Sequence, residues 1–204
     1  MNRKKLVMTA AAAAVLLGLS ACTSDETDTA SETTTAVETT ATSGSSTTVQ
    51  AEESAQHSEA DVMFAQMMIP HHEQAITMAD LALDPSAKAS GKVHDFAKDI
   101  KDAQDPEIQT MEGWLEDWDA PTANSSGMDH GSGMMTQEEM AKLESATGAE
   151  FDKQWLTLMI KHHQGAVTMA EQVLTTTEDD AVERMAKAIV KAQKAEIKAM
   201  QREL

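Results

Sequence analysis

The chain has 204 residues and a formal charge of −18, from 34 acidic and 16 basic side chains. This length fits one compact domain with a tail. No Lys or Arg occurs between Leu6 and Ala87, so the basic surface that nucleic acids and anionic lipids require is missing, and both classes of partner are excluded. Fifteen methionines accompany seven histidines and no tyrosine. So many thioethers form either an adaptable core or a site for a soft ligand.

The first residues have the features of a bacterial export signal. Three basic residues precede an apolar run, 6–19, that is too short to cross a bilayer. The run ends at Cys22 in a Leu-Ser-Ala-Cys sequence, which resembles the lipobox of bacterial lipoproteins. We predict a lipoprotein signal peptide over 1–21 and lipidation of Cys22, which would anchor the protein to the extracytoplasmic face of the cell membrane. An ordinary signal peptide with an incidental cysteine is the alternative.

The segment after Cys22 is poor in large apolar residues. Between Thr23 and Gln50, 16 of 28 residues are Ser or Thr. Such a composition cannot bury enough surface to offset the loss of chain entropy. We therefore predict a disordered Ser/Thr-rich tether over 22–57. Because Cys22 is the only cysteine, the remainder of the chain has no thiolate for a metal or for nucleophilic catalysis.

From Ser58 onward the pattern is helical, with no strand signals. Ser58 and the acids after it are typical of a helix start, and Thr136 with Glu139 forms a second capping sequence. Pro70 and Pro106 fall inside predicted helices, which we expect to be kinked but continuous; a restart of the first helix at Pro70 is the alternative. The predicted helices span about 58–83, 88–118, 137–145, 148–175 and 179–203.

The helical segment contains an internal repeat. Residues 67–83 and 158–174 are identical at nine of seventeen positions, and residues 95–115 and 184–204 at nine of twenty-one. Two copies of one helical hairpin, each with an apolar stripe that it cannot bury alone, predict an all-α four-helix bundle over 58–204. Its parts are repeat one (58–118), a Met/His-rich loop (119–136) and repeat two (137–204).

Each repeat carries a His-His pair preceded by Met-Ile. Residues three, four or seven apart share a helix face, so each first helix presents imidazoles and thioethers together. The second helices present Gln, Glu and Met on one stripe, as Gln104, Glu107 and Met111 and again as Gln193, Glu196 and Met200. The predicted metal ligands in the bundle are Met68, His71, His72, Met78, Met111, Met159, His162, His163, Met169 and Met200. Buried, purely structural His and Met side chains are the alternative.

The donor types favour copper. A di-iron bundle needs Glu-x-x-His sequences, and no Glu precedes a histidine by three positions here. Structural zinc prefers thiolates, which the domain lacks. Imidazole with thioether favours copper, and methionine selects Cu(I).

The loop between the repeats is also rich in soft donors. Residues 124–135 place Met128, His130, Met134 and Met135 among Gly and Ser. We expect this segment to be exposed, where core packing cannot explain methionine, and we predict that these four residues bind a soft metal. An incidental loop without a ligand is the alternative.

The doubled Met-Ile-x-His-His…Met-Ala sequence and the later Ala-Gln-x-x-Glu-Ile-x-x-Met segment resemble the domain of unknown function 305 (DUF305) family over about 58–204. The resemblance implies an exported, ferritin-like bundle of two pseudo-repeats. Some members are described as periplasmic copper binders. The positions that correspond to the motif are His71, His72, His162 and His163 with Met68, Met78, Met159 and Met169.

Together these features favour a non-enzymatic, lipid-anchored protein that sequesters or transfers copper. Its expected partners are a metal ion, the membrane through Cys22, and an envelope copper-handling protein. One alternative is a metal-free protein-interaction module that uses a Met-rich face. Another is a metal-dependent enzyme with Glu107 or Glu196 as acid–base group.

Overall fold

A computed structural model describes residues 57–122 and 133–204, and these contain five α-helices and no strand. The predicted all-α bundle is therefore confirmed. The signal peptide, Cys22, Met128 and His130 lie outside the described residues. No helix within the described residues has the length and apolarity needed to cross a membrane. The elements are α1 (Glu59–Leu83), a 3-10 turn (Pro85–Ala87), α2 (Gly91–Asp117), α3 (Gln137–Ser145), α4 (Ala149–Val173) and α5 (Asp180–Met200).

Both predicted capping sequences start their helices. The Ser58 backbone N–H donates to the Asp61 carboxylate at 2.8 Å, and the Ser58 hydroxyl accepts from the Asp61 N–H at 3.2 Å. Thr136 and Glu139 form the same reciprocal pair at 3.1 and 2.8 Å. Each cap satisfies two amide groups that the first helical turn leaves without a partner.

The two prolines lie inside uninterrupted helices. Pro70 is within α1 and Pro106 within α2, so the expectation of continuity is confirmed and the alternative restart at Pro70 is wrong. A proline inside a helix costs about 3 kcal/mol. Apolar side chains are fully buried on both sides of Pro70, among them Phe64 and Met78. This packing holds α1 together across the missing hydrogen bond.

The helices pair as the repeat predicts. α1 packs along α2, α4 packs along α5, and α1 joins the two hairpins by packing on α4. The first part of α1 shares one half of the core with the last part of α4, so these two helices run antiparallel. The last part of α2 lies in that same half. α2 and α4 therefore run parallel, since α2 ends in this half of the core and α4 begins in the other.

The core has two apolar halves. One is built around Phe151, Trp155 and Ile100, and the indole N–H of Trp155 donates to the Met78 carbonyl at 2.8 Å. The other is built around residues of the opposite end of the bundle, including Phe64. The His-His pairs of α1 and α4 fall between the two halves in sequence and belong to neither. They separate the apolar halves as a polar layer.

The end of the Met/His-rich loop is part of the core rather than an exposed segment. Met135 is 6% exposed and packs in the half that contains Trp155, so the expectation that it is exposed is wrong. Its backbone N–H donates to the Gln74 side chain at 2.7 Å, and the Gln74 amide donates back to its carbonyl at 2.9 Å. Gly133 lies directly against the backbone of Gly165. Residues 133–135 thus cross the α1–α4 groove one turn beyond the His-His pairs.

Replacing Gly133 with alanine is expected to lower the free energy of unfolding by about 1–3 kcal/mol. A Cβ at this position would lie 2.8 Å from the Gly165 Cα and from the Lys161 carbonyl oxygen, and the residue has φ +96°. Gly148 provides the control, since it has φ +62° but open space around its Cβ position. Urea unfolding followed by circular dichroism measures both variants. Equal losses would show that close contact with Gly165 is unimportant.

Candidate functional site

The polar layer gathers nearly all of the buried polar side chains in the described residues. Seven polar or charged residues are buried among the described residues, and six of them belong to this layer. The seventh is Asp61 of the α1 cap. The six are His71 and His72 of α1, Gln104 of α2, His162 and His163 of α4, and Gln193 of α5. Four imidazoles at the centre of an apolar bundle are costly unless each one has a partner.

In each repeat, one histidine is held by a glutamate of the second helix. His72 Nε2 lies 2.8 Å from Glu107 Oε2, and His163 Nε2 lies 2.8 Å from Glu196 Oε2. The imidazoles are fully buried, whereas the glutamate side chains are 24% and 26% exposed. The predicted stripes of the two helices therefore do face each other. A carboxylate at Nε2 favours the Nε2–H tautomer, and this leaves the Nδ1 lone pair as the acceptor.

The Nδ1 atoms of His72 and His163 make no hydrogen bond and are shielded from solvent. A buried lone pair without a partner is rare in native proteins and calls for a missing ligand, ion or water. A carboxylate on one ring nitrogen with a ligand on the other is the usual arrangement of metal-bound histidine. The same unpaired nitrogen occurs twice, at equivalent positions of the repeat.

The other two histidines meet where the hairpins join. The ring centroids of His71 and His162 are 3.7 Å apart, with a tilt of 37°. Burial, and then the charges of His71, His163 and His72, hold the pKa of His162 well below its usual value. His162 is therefore a neutral imidazole at neutral pH, which is the form that binds metals.

Methionines flank the layer on both sides. All six predicted bundle methionines are 5% exposed or less. Each core half contains three of them, and these three come from three different helices. One half contains Met68, Met111 and Met169, and the other contains Met78, Met159 and Met200. These six methionines are therefore packed in the core. Their burial next to the layer is also compatible with a role as metal ligands.

The donor set fits a soft metal better than a hard one. Within the described residues, His, Cys, Asp and Glu side chains by themselves form no group of three or more that could hold a metal ion. The donors that the histidine layer and its flanking methionines offer are imidazoles and thioethers, and this combination is suited to copper. Of the loop candidates, Met135 joins the core half that contains Met159 and Met134 is half-buried.

Some features of the site were not predicted from the sequence. The spacing placed Glu107 and Glu196 on the facing stripes, but it did not show that each one bonds the second histidine of its repeat. Gln74 and Gly165, which hold residues 133–135 over the α1–α4 groove, carried no signal as single residues. The one sequence feature that links them is the repeat, since each follows the first histidine of its His-His pair by three positions.

Comparison with known proteins gives the relatives of this bundle. The profile of the family described as Domain of unknown function (DUF305) matches residues 61–204. No curated protein sequence matches the chain. A DUF305 protein from Streptomyces coelicolor that is thought to be secreted is 33% identical, with a TM-score of 0.65 over 69% of this chain and 89% of that chain. A DUF305 fragment from Deinococcus radiodurans is 33% identical, with a TM-score of 0.64 over 71% and 95%.

A third similar structure contains copper. CopM in the Cu(I)-bound form is 32% identical, with a TM-score of 0.58 over 70% of this chain and 93% of that chain. Structures of CopM with Ag, with Cu(II) and in the apo form are similar to the same extent. The helical bundle, the doubled histidine motif and the profile match agree, and the chain belongs to the DUF305 family.

Proposed function

We propose that this protein binds Cu(I) through the histidines of the polar layer and the methionines that flank it, and that it sequesters copper or transfers it in the cell envelope. In this proposal copper is a cargo. The observation that carries it is the repeated buried Nδ1 atom of His72 and His163, which has no hydrogen bond although a glutamate fixes the opposite nitrogen.

The chemistry around these nitrogens supports copper in its reduced state. Thioethers are poor ligands for hard cations and good ligands for Cu(I). Cu(I) carries a single charge, so its burial costs less than that of a divalent ion. Glu107 and Glu196 reach solvent at the edge of the layer, and their charges offset that of a bound cation. The binding of Cu(I) by CopM, a 32% identical structural relative, supports the same choice.

The alternatives explain less of the geometry. A metal-free interaction module needs an exposed surface, and it gives no reason to bury four imidazoles. In a metal-dependent enzyme Glu107 or Glu196 would act as the acid–base group, whereas here each one is hydrogen-bonded to the histidine whose other nitrogen we propose as the metal ligand. We therefore propose a binding protein without catalytic activity.

We also propose that the bundle is displayed outside the cytoplasm. The export signal over 1–21, lipidation at Cys22, the tether over 22–57 and the domain over 58–204 form a consistent series for a lipid-anchored envelope protein. The relative from Streptomyces coelicolor that is thought to be secreted supports export. Mass spectrometry of the native membrane fraction would find a diacylated Cys22 as the first residue. An unmodified Cys22 would contradict the anchor and leave the copper proposal intact.

An anaerobic Cu(I) titration of the full chain with Cys22→Ser, which removes the competing thiol, tests the copper proposal. The protein competes with a chromophoric Cu(I) chelator, and native mass spectrometry counts the bound ions. We expect tight uptake that removes copper from the chelator. Uptake no stronger than that of an unstructured Met-containing peptide would contradict the proposal, and the paired histidines would then be structural.

A further inference from the structure

A second group of methionines, which shares Met169 with the six that flank the layer, lies at the surface between α1 and α4. Met63 and Met67, one turn apart on α1, line a cavity of about 180 Å³ together with Met169 of α4. Met63 is 37% exposed, and only one other large apolar side chain in the described residues is more exposed. Met169 is 5% exposed. This methionine cleft (Met63, Met67 and Met169) therefore extends from solvent to a buried thioether.

The remaining walls of the cleft are neutral. Phe64 and Val173, which are 2% and 4% exposed, contribute apolar surface, and no charged side chain lines the cavity. The thioether sulfurs are thus its strongest donors for a soft ion. A divalent cation without a carboxylate would be costly here, whereas a soft monovalent cation matches three thioethers.

The second repeat shows that the fold does not require methionine at these positions. The equivalents of Met63 and Met67, at the repeat offset of 91, are Gln154 and Leu158. Those two residues line a different cavity, whose walls include the charged side chains of Glu139 and Lys142 from α3. The two hairpins therefore each have a cleft at these helical positions, but only the cleft of the first hairpin is lined by thioethers and free of charged side chains.

We propose that Met63, Met67 and Met169 form a second soft-metal site, which binds one Cu(I) ion near the surface without any histidine. The choice of Cu(I) rests on the proposed function of the histidine layer. The site itself rests on the cleft. The negative charge of the chain raises the local cation concentration, and Met67 is followed directly by the fully buried Met68. Phe64, Met169 and Val173 of the cleft belong to the half of the core that contains Met68 and Met111, so the cleft lies at the surface of that half.

The test uses the full chain with Cys22→Ser, so that no thiol competes, and with ¹³C-labelled methionine methyl groups. Ag(I) serves as a redox-inert probe of the Cu(I) class. We expect the methyl resonances of the three cleft methionines to shift together as the site fills. The double variant Met63→Gln with Met67→Leu carries the residues of the second repeat, and it should bind about one ion fewer by native mass spectrometry.

A matched control separates the cleft from thioether content in general. Met140→Leu with Met185→Leu removes two half-buried methionines elsewhere in the bundle, and it should leave the number of bound ions unchanged. Circular dichroism checks that both double variants fold. Unshifted Met63 and Met67 methyl groups, or an unchanged ion count in the cleft variant, would overturn the second site.

A histidine-deficient background separates this proposal from the one for the layer. With His72→Ala and His163→Ala, the cleft methyl groups should still shift with Ag(I). Loss of those shifts in a folded histidine variant would overturn an independent cleft. If the histidine variant keeps every ion of the parent while the cleft shifts persist, the layer proposal fails and the cleft is supported.

Discussion

Replacing His72 and His163 together with alanine is expected to abolish tight Cu(I) uptake by the histidine layer while the bundle stays folded. Each substitution removes an Nδ1 atom that is buried without a hydrogen bond. Changes in groups that only orient a metal ligand cost about 10–100-fold in affinity, so loss of both ligands should weaken binding by more than about 100-fold. Competition with a chromophoric Cu(I) chelator measures the change.

The control variant is His94→Ala, because His94 is a half-buried histidine of α2 outside the layer. It should bind copper like the parent. Circular dichroism of each protein shows whether the helices persist. If the double variant is folded and competes for Cu(I) as strongly as the parent, the two Nδ1 atoms are not ligands.

The glutamates allow a graded version of the same experiment. Glu107→Gln with Glu196→Gln keeps a hydrogen-bond acceptor beside each Nε2 but removes the charge. We expect Cu(I) affinity to fall by about 10–100-fold, the usual cost of altering a group that orients a metal-bound histidine. Glu112→Gln removes one such charge from an exposed position on α2 and should have little effect. An equal loss of Cu(I) affinity in the two variants would show that Glu107 and Glu196 act only through the surface charge of the protein.

Acidification is expected to destabilise the metal-free protein through His162. Its pKa is held well below the usual value in the folded state, chiefly by burial, whereas in the unfolded chain it returns to about 6.5. As the pH falls below about 6.5, the unfolded state binds a proton that the folded state does not bind. The free energy of unfolding should therefore decrease, with a slope of up to about 1.4 kcal/mol per pH unit from this one residue.

Urea unfolding in the presence of a chelator, at a series of pH values from 7 downward, measures this slope. His162→Leu removes the titrating group and should reduce the slope of the unfolding free energy with pH. His94→Leu should leave this slope unchanged. His71, His72 and His163 remain in both comparisons, so the contrast isolates one imidazole. The same dependence of the unfolding free energy on pH in the parent and in His162→Leu would contradict the inference that His162 stays neutral in the folded protein.

Several features of the bundle could be predicted because they depend on local sequence. Helix periodicity and the capping sequences at Ser58 and Thr136 act within a few residues, and the structure has the helix starts where they predict. The internal repeat predicted two like hairpins and hence the four long helices. The positions of Met68, His71 and His72 on one helix also follow from spacing alone, as does the matching set on the second copy.

Only the tertiary structure decided which of these side chains meet. The contact of Glu107 with His72 depends on the axial register of α1 against α2, and the contact of the His71 ring with the His162 ring depends on how the hairpins join. The burial of Met135 required a distant partner, Gln74. These contacts join segments 35 or more residues apart, and side-chain packing between helices sets their register, which no local pattern encodes. The cavity at Gln154 and Leu158 likewise has charged walls because α3 packs on α4 and contributes Glu139 and Lys142, whereas no charged side chain lines the cleft at Met63.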